Sequence, residues 1–315
     1  MKFGRLPSAP EKLARRLMLR DYLDREVLPA IPSSVDYTQI GQAWGMLLND
    51  SIGDCTIAGA GHADMVADYY GEKVAANITD AQILAAYEAI TGYNPDDPSS
   101  DQGANLLDVL RYWQRAGIGD QKAGPYVAFD ATAMQHWQAV TFLFGFAYIG
   151  VWLPKTVTDP LESGQVIDWT DTSDPVTQDA GHCVIVAGYD ATGLDVVTWG
   201  QVIHMSWAFA AKYVDEPYAV ILPNWGTGKE PVGLNVSQLQ ADLAVVQGGG
   251  IIPAPTPPNP TPPSPPPAPT PTPSPTPAPT PVNVNPIVAE LDRVEKALVR
   301  AANEIAAAVK RITDC

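Results

Sequence analysis

The stretch Asn49-Asp50-Ser51-Ile52-Gly53-Asp54-Cys55-Thr56-Ile57-Ala58-Gly59-Ala60 decides how the chain is read. A glycine-containing turn runs directly into a cysteine, and small apolar residues then continue in a helical pattern. A cysteine on the first turn of a helix feels the positive end of the helix dipole. Its thiolate is favoured there, which makes it a better nucleophile at neutral pH. Cysteine is also a common small filler of buried gaps. The segment alone fits a nucleophile and a core residue equally.

A base for Cys55 has to come from four histidines. The segment Gly181-His182-Cys183-Val184-Ile185-Val186-Ala187-Gly188-Tyr189 opens a β-branched strand with a histidine placed to project into a cleft, or to be satisfied by local hydrogen bonds. His62 follows Cys55 by seven residues, about two helical turns, which is too far for a hydrogen bond along one helix. His136 sits in an expected helix beside Trp137, and His204 is a weaker alternative to His182. Cys183 points to the other face of its strand and reads as core.

Around these segments the expected elements are helices from Cys55, near 80–91, near 105–116 and near 132–143. Strands are expected at 147–153, 183–189, 194–199 and 218–222. Helices first and strands later is an α+β order. The first 35 residues read as a charged arm, with Pro29 and Pro32 bracketing LPAIP, and the globular domain as 36–250.

Composition breaks near residue 250. The stretch 251–286 is nearly all Pro, Thr, Ala and Ser and carries no charge. Proline at that density locks φ and removes backbone donors, so this is a spacer, as a polyproline II rod or a disordered linker. As a rod, some 34 residues at about 3.1 Å each reach on the order of 100 Å. Beyond it, Ile287, Leu291, Val294, Leu298, Ala301, Ile305, Ala308 and Ile312 repeat at 4-3 spacing, the seam of a coiled coil. A helix held away from the domain has to bury that seam against copies of itself or a partner helix, so 287–315 is expected to oligomerise. Cys315 fits an interchain disulfide or a free thiol.

The formal net charge is −16, all of it on the first 250 residues. Such a surface repels phosphate backbones and anionic lipid, so neither nucleic acid nor membrane is an expected partner. The longest apolar run, 139–153, is too short to span a bilayer, and the basic N-terminus lacks a signal-peptide core. Synthesis in a cytoplasm without a signal peptide is expected, and three scattered cysteines fit a reducing compartment. No Cys or His pair has ligand spacing, and the acidic turn 96–101 lacks the glycine and closing glutamate of a calcium loop, so no metal or cofactor is expected.

Taken together, the Gly53-Asp54-Cys55 turn, the His182-to-Tyr189 strand, the return strand ending in Trp199-Gly200, and the middle segment from Asp101-Gln102-Gly103-Ala104-Asn105 through Tyr112 and Gly117-Ile118 resemble the papain-like cysteine peptidases. They lie in the family's order over roughly 170 residues. Among such proteins the chain is most similar to those encoded in bacteriophage and bacterial genomes. The resemblance implies a two-lobed α+β fold with Cys55 as nucleophile and His182 as base. It also places Asn49, six residues before the cysteine, where the family has an oxyanion-binding glutamine. One departure stands out: the family orients its histidine with an asparagine two residues before the Trp-Gly pair, and that position here is Val197. Strand alternation sends Thr198 to the face opposite Val197.

Three functions follow as expectations. The first is a thiol hydrolase cleaving peptide or isopeptide bonds. The second is an idle papain-like scaffold serving as a decoration or fibre protein of a bacteriophage. The third is a peptidoglycan amidase or endopeptidase. A long spacer with a terminal coiled coil suits display on a virion or other large particle.

Overall fold

The computed structural model describes residues 1–23, 28–119, 121–225 and 233–248. The expected spacer at 251–286 and the heptad helix at 287–315, Cys315 included, lie outside them. In chain order, β1 (Arg5–Leu6), α1 (Pro10–Leu13) and β2 (Val35–Asp36) precede α2 (Cys55–Ala67), α3 (Asp80–Thr91), β3 (Ala104–Asn105) and α4 (Leu106–Arg115). There follow β4 (Tyr126–Ala128), α5 (Met134–Phe144), β5 (Ala147–Trp152), α6 (Lys155–Glu162), β6 (Gly181–Tyr189), β7 (Gly193–Thr198), β8 (Gln201–Ser206), α7 (Trp207–Tyr213), β9 (Val214–Val220) and α8 (Val236–Gln247).

Local chemistry sets the helix ends. Thr79 and Gln82 form a reciprocal capping box ahead of α3, which stops at Gly92 in the left-handed region. Asn105 caps α4 by accepting from the Asp108 amide, and Gly145 closes α5. The helix α2 differs from the rest. All thirteen of its residues are buried, so it has no polar face and can exist only between other layers.

An antiparallel sheet supplies one of those layers, in the order β4-β9-β5-β6-β7-β8, with β2 added to the far end of β6. Alternation along β6 separates two cores. Cys183, Ile185 and Ala187 join Ile57, Ala58 and Ala60 of α2, together with side chains of α3 and α4. Val184 and Val186 face the other way, into a core shared with Trp137, Val140, Phe209 and Leu239 of α5, α7 and α8.

The first residues do not stand apart as an arm. Arg5, Ser8, Leu19 and Tyr22 are buried, β1 pairs in parallel with β3, and β2 extends the sheet. Charge at Arg5 suggests exposure in the sequence, but the buried carboxylate of Glu216 and the exposed one of Asp215 neutralise it.

β7 returns as β8 through two residues, Trp199 and Gly200, at φ +45° and +70°. Both central positions of a two-residue hairpin turn take positive φ when the turn matches the strands' twist. Gly200→Ala puts a Cβ at a left-handed position and is expected to cost about 1–2 kcal/mol, read as a lower urea midpoint with unchanged slope.

Candidate active site

Cys55 opens α2 behind Asp54, and its sulphur lies against the backbone amide of Cys183, one residue along β6 from His182. Placement of the two segments follows from packing. The buried helix lies across β6, so its N-terminus arrives where that strand begins. Cys183 itself points at α2, where its sulphur would lie 3.5 Å from a Cβ at Gly59.

His182 is held from several sides. Its Nε2 and the Thr198 hydroxyl share a hydrogen bond of 2.8 Å. The indole of Trp199 stacks on the imidazole at 4.2 Å between centroids, with Trp169 and Phe3 edge-on at 6.3 and 6.1 Å. Val197, at the position where an orienting asparagine was expected, is buried in the core on the α2 side. The residue that bonds the imidazole is Thr198. Register explains it: Ile185 pairs with Val197, so Val184 and Thr198 share a face, and His182 is on that face. Alternation carries Thr198 away from Val197, and for the same reason it carries Thr198 towards His182.

Asn49 is buried beside the cysteine turn, and its side-chain amide donates to the Ile52 carbonyl at 3.3 Å and to Asp54 Oδ1 at 3.2 Å. Both of its N–H groups are engaged within the turn. Of the other histidines, His62 Nε2 bonds the Gly45 carbonyl, His136 Nδ1 accepts from the Asp130 amide, and His204, the alternative base, lies on β8 opposite Asp195 of β7.

A segment that sequence reasoning did not place at the site covers it. Residues 2–8 run along the cleft as a strap. The Lys2 amide donates to the Asn49 carbonyl, the Ala104 amide to the Gly4 carbonyl, and the Ser8 amide to Glu216 Oε1. Gly4 lies so close to the cysteine turn that a Cβ on it would fall 1.7 Å from the Gly53 oxygen. A Cβ on Gly181 would likewise meet the Arg5 carbonyl at 2.2 Å. Under the strap Cys55 and His182 are each 1% exposed.

Burial dictates the electrostatics. It pushes the Cys55 thiol up to about 12, with Asp54 adding to the rise and the amides of Cys183 and Gly4 opposing it. It pulls His182 down to about 3, with His62 adding to the fall. Beneath the strap, therefore, the pair is a neutral thiol and a neutral imidazole. His182 Nδ1 has no hydrogen-bond partner.

This arrangement can be set beside known structures. The chain aligns with xylellain, a cysteine protease from Xylella fastidiosa, at 15% identity, covering 70% of this chain and 95% of that one with a TM-score of 0.53. The fold is that of the papain-like cysteine proteases. Two further alignments are weaker. The Carica candamarcensis cysteine protease CMS1MS2 in complex with E-64 matches at 14% identity, over 61% of this chain and 99% of that one, with a TM-score of 0.43. Bromelain from Ananas comosus, in complex with E64, matches at 12%, over 61% and 100%, also with a TM-score of 0.43. No family model and no curated protein matches the sequence. Identities this low give the fold alone.

Asp54 supplies a pH signature. Burial lifts its carboxyl to about 8, Asn49 opposes the rise, and Oδ2 has no partner. A folded-state pKa above the unfolded value means that the unfolded chain releases its proton first. The Asp54 contribution to stability is therefore full below about pH 4 and drains as pH rises towards 8. Asp54→Asn is expected to raise Tm at pH 8 and to leave it nearly unchanged at pH 4, as followed by thermal melts across that range.

Proposed function

We propose that the domain is a thiol hydrolase acting on peptide or isopeptide bonds, held latent by its own N-terminal strap. One observation carries the reading. The Cys55 sulphur rests beside β6 at the head of a helix, and His182 keeps Nδ1 without a partner while Thr198 holds Nε2. With Nε2–H donated to Thr198, Nδ1 carries the lone pair that a general base needs.

Release of the strap hydrates the cleft and removes the desolvation that keeps both groups neutral. The proton then passes from Sγ to Nδ1, and the thiolate attacks the scissile carbonyl. The Cys55 amide at the helix N-terminus faces the developing oxyanion. Asn49 becomes its second donor by giving up its 3.3 Å bond to Ile52. Collapse of the tetrahedral species sends the proton from His182 to the leaving amine, leaving an acyl group on sulphur. Water, deprotonated by His182, hydrolyses the thioester and restores the thiol. Thr198 acts through the imidazole as a positioning residue.

The proline-rich stretch and the heptad pattern support a further part of the reading, display of the domain from an oligomeric base on a virion or other particle. Cleavage in solution needs neither segment, so truncation near residue 250 is expected to preserve cleavage and abolish particle attachment.

Thiol reactivity tests the site. Intact mass is followed after brief exposure to iodoacetamide near pH 6. Wild type is expected to label slowly at Cys55, and Gly4→Val, which forces the strap out, about tenfold faster or more. Adding His182→Ala should return the rate to that of an ordinary thiol, and Cys55→Ser should remove the label. Fast labelling indifferent to His182 would favour the idle scaffold instead. Thr198→Val in the Gly4→Val background is expected to slow labelling several-fold while leaving the fold unchanged by circular dichroism.

A further inference from the structure

The strap is anchored by one side chain, and the pocket that receives it is more elaborate than an anchor requires. Arg5 inserts its guanidinium between β5 and β9. Nη2 donates to Asp215 Oδ1 at 2.8 Å and to Glu216 Oε1 at 2.5 Å. The guanidinium carbon lies 4.3 Å over the centre of the Trp152 ring, so the cation is stacked as well as paired. Trp152 Nε1 in turn fixes Asp215 through Oδ2 at 2.8 Å, and the Tyr218 hydroxyl donates to Glu216 Oε2 at 3.3 Å. Gly150, paired with Glu216 across the strands, leaves the space: a Cβ there would lie 2.8 Å from Arg5 Nε.

Glu216 is completely buried. With the strap in place its charge is matched. Once the strap leaves, the same carboxylate loses its guanidinium partner, and the nearby Arg16 is engaged with the Asp215 carbonyl at 3.2 Å rather than with either carboxylate. A buried carboxylate stripped of its partner is strongly disfavoured, so whatever next fills the cleft gains most by bringing a positive charge to that spot. The planar stack on Trp152 favours guanidinium over ammonium. The backbone on either side is already accounted for: the Ala104 amide bonds the carbonyl of the residue before the arginine, and the strand there runs parallel to β3.

We infer that the Glu216–Asp215–Trp152–Gly150 pocket is an arginine-recognition site of the cleft, taking peptide segments that carry an arginine and occupied by Arg5 when the strap is closed. The inference rests on reading the cleft as one that binds peptides, and it gives the class of peptide. Arg5 Nε and Nη1 have no partner in the pocket. Recognition therefore runs through Nη2 and the stacked face, and lysine should be a poorer fit than arginine but better than an uncharged side chain.

The test separates binding from catalysis. Full-length chain carrying Cys55→Ser and Gly4→Val is titrated against a fluorescent peptide of sequence Lys-Phe-Gly-Arg-Leu-Pro-Ser, matching residues 2–8, with polarisation as the readout. Trypsin cleavage after Arg5, expected only in the variant, reports that the strap is out. Should Gly4→Val fail to fold by circular dichroism, Arg5→Gln frees the same pocket. The peptide is expected to bind the released chain and not the Cys55→Ser protein with its strap intact. Norleucine in place of arginine, or Glu216→Gln in the protein, should each weaken binding about tenfold or more, with a lysine peptide between. Equal affinity of the arginine and norleucine peptides, or no binding by a folded chain with its strap released, overturns the inference. Because Cys55 is absent, failure of the hydrolase reading would leave these binding results standing. Conversely, His182-dependent labelling alongside indifferent peptides would sink the pocket alone.

Discussion

A guanidinium and a carboxylate taken wholly out of water tolerate each other only as a pair, and the Arg5–Glu216 contact places that demand at the centre of the domain. It ties the start of the chain to β9, an interior strand of the sheet. In doing so it draws Gly4 against Gly53 and Phe3 against the imidazole, and it shuts water away from the sulphur. Desolvation is the leading cause of the shifts at the cysteine and the histidine, and the strap adds to a burial that α2, Trp169 and Trp199 already impose. The pocket, the strap and the quiet nucleophile are one electrostatic system.

The helical layer imposes a second constraint. A helix buried on every side cannot be positioned by its own amphipathicity, so its neighbours set where its first residue falls. The sheet contributes the other half of the site through register. Thr198, Trp199 and His182 are brought together by the pairing of β6 with β7 and by a two-residue turn with both central residues at positive φ. A register slip in the sheet would separate Thr198 from the imidazole, because a slip of one residue turns every side chain to the opposite face.

Much of this was legible in the sequence. The glycine turn into Cys55, the caps of α3 and the β-branched runs at 147–153 and 183–189 announced elements that lie within a few residues of their observed bounds, since local chemistry sets those ends. Helices α6 to α8 and the strands β4 and β8 were not announced. They are short or carry mixed periodicity, and packing rather than pattern holds them. Thr198 was judged against Val197, when the useful comparison was with His182 across the ladder, and only register supplies that. The strap was missed for a different reason. Arg5 among Lys2, Lys12, Arg15 and Arg16 reads as a solvated basic end, and nothing local says that this one cation has a buried partner. A pair of glycines at 4 and 53 was visible, but that they touch is a tertiary fact.

The separation of the pair along the chain also has a kinetic side. Arg5 and Glu216 stand 211 residues apart, and the strap touches β3, β5, β6 and β9 before it is complete. Closing so long a loop is entropically costly until the strands that reward it are assembled. The strap's one buried cation thus depends on a strand near the opposite end of the domain, and the first residues of the chain have no seat until β9 is paired with β5.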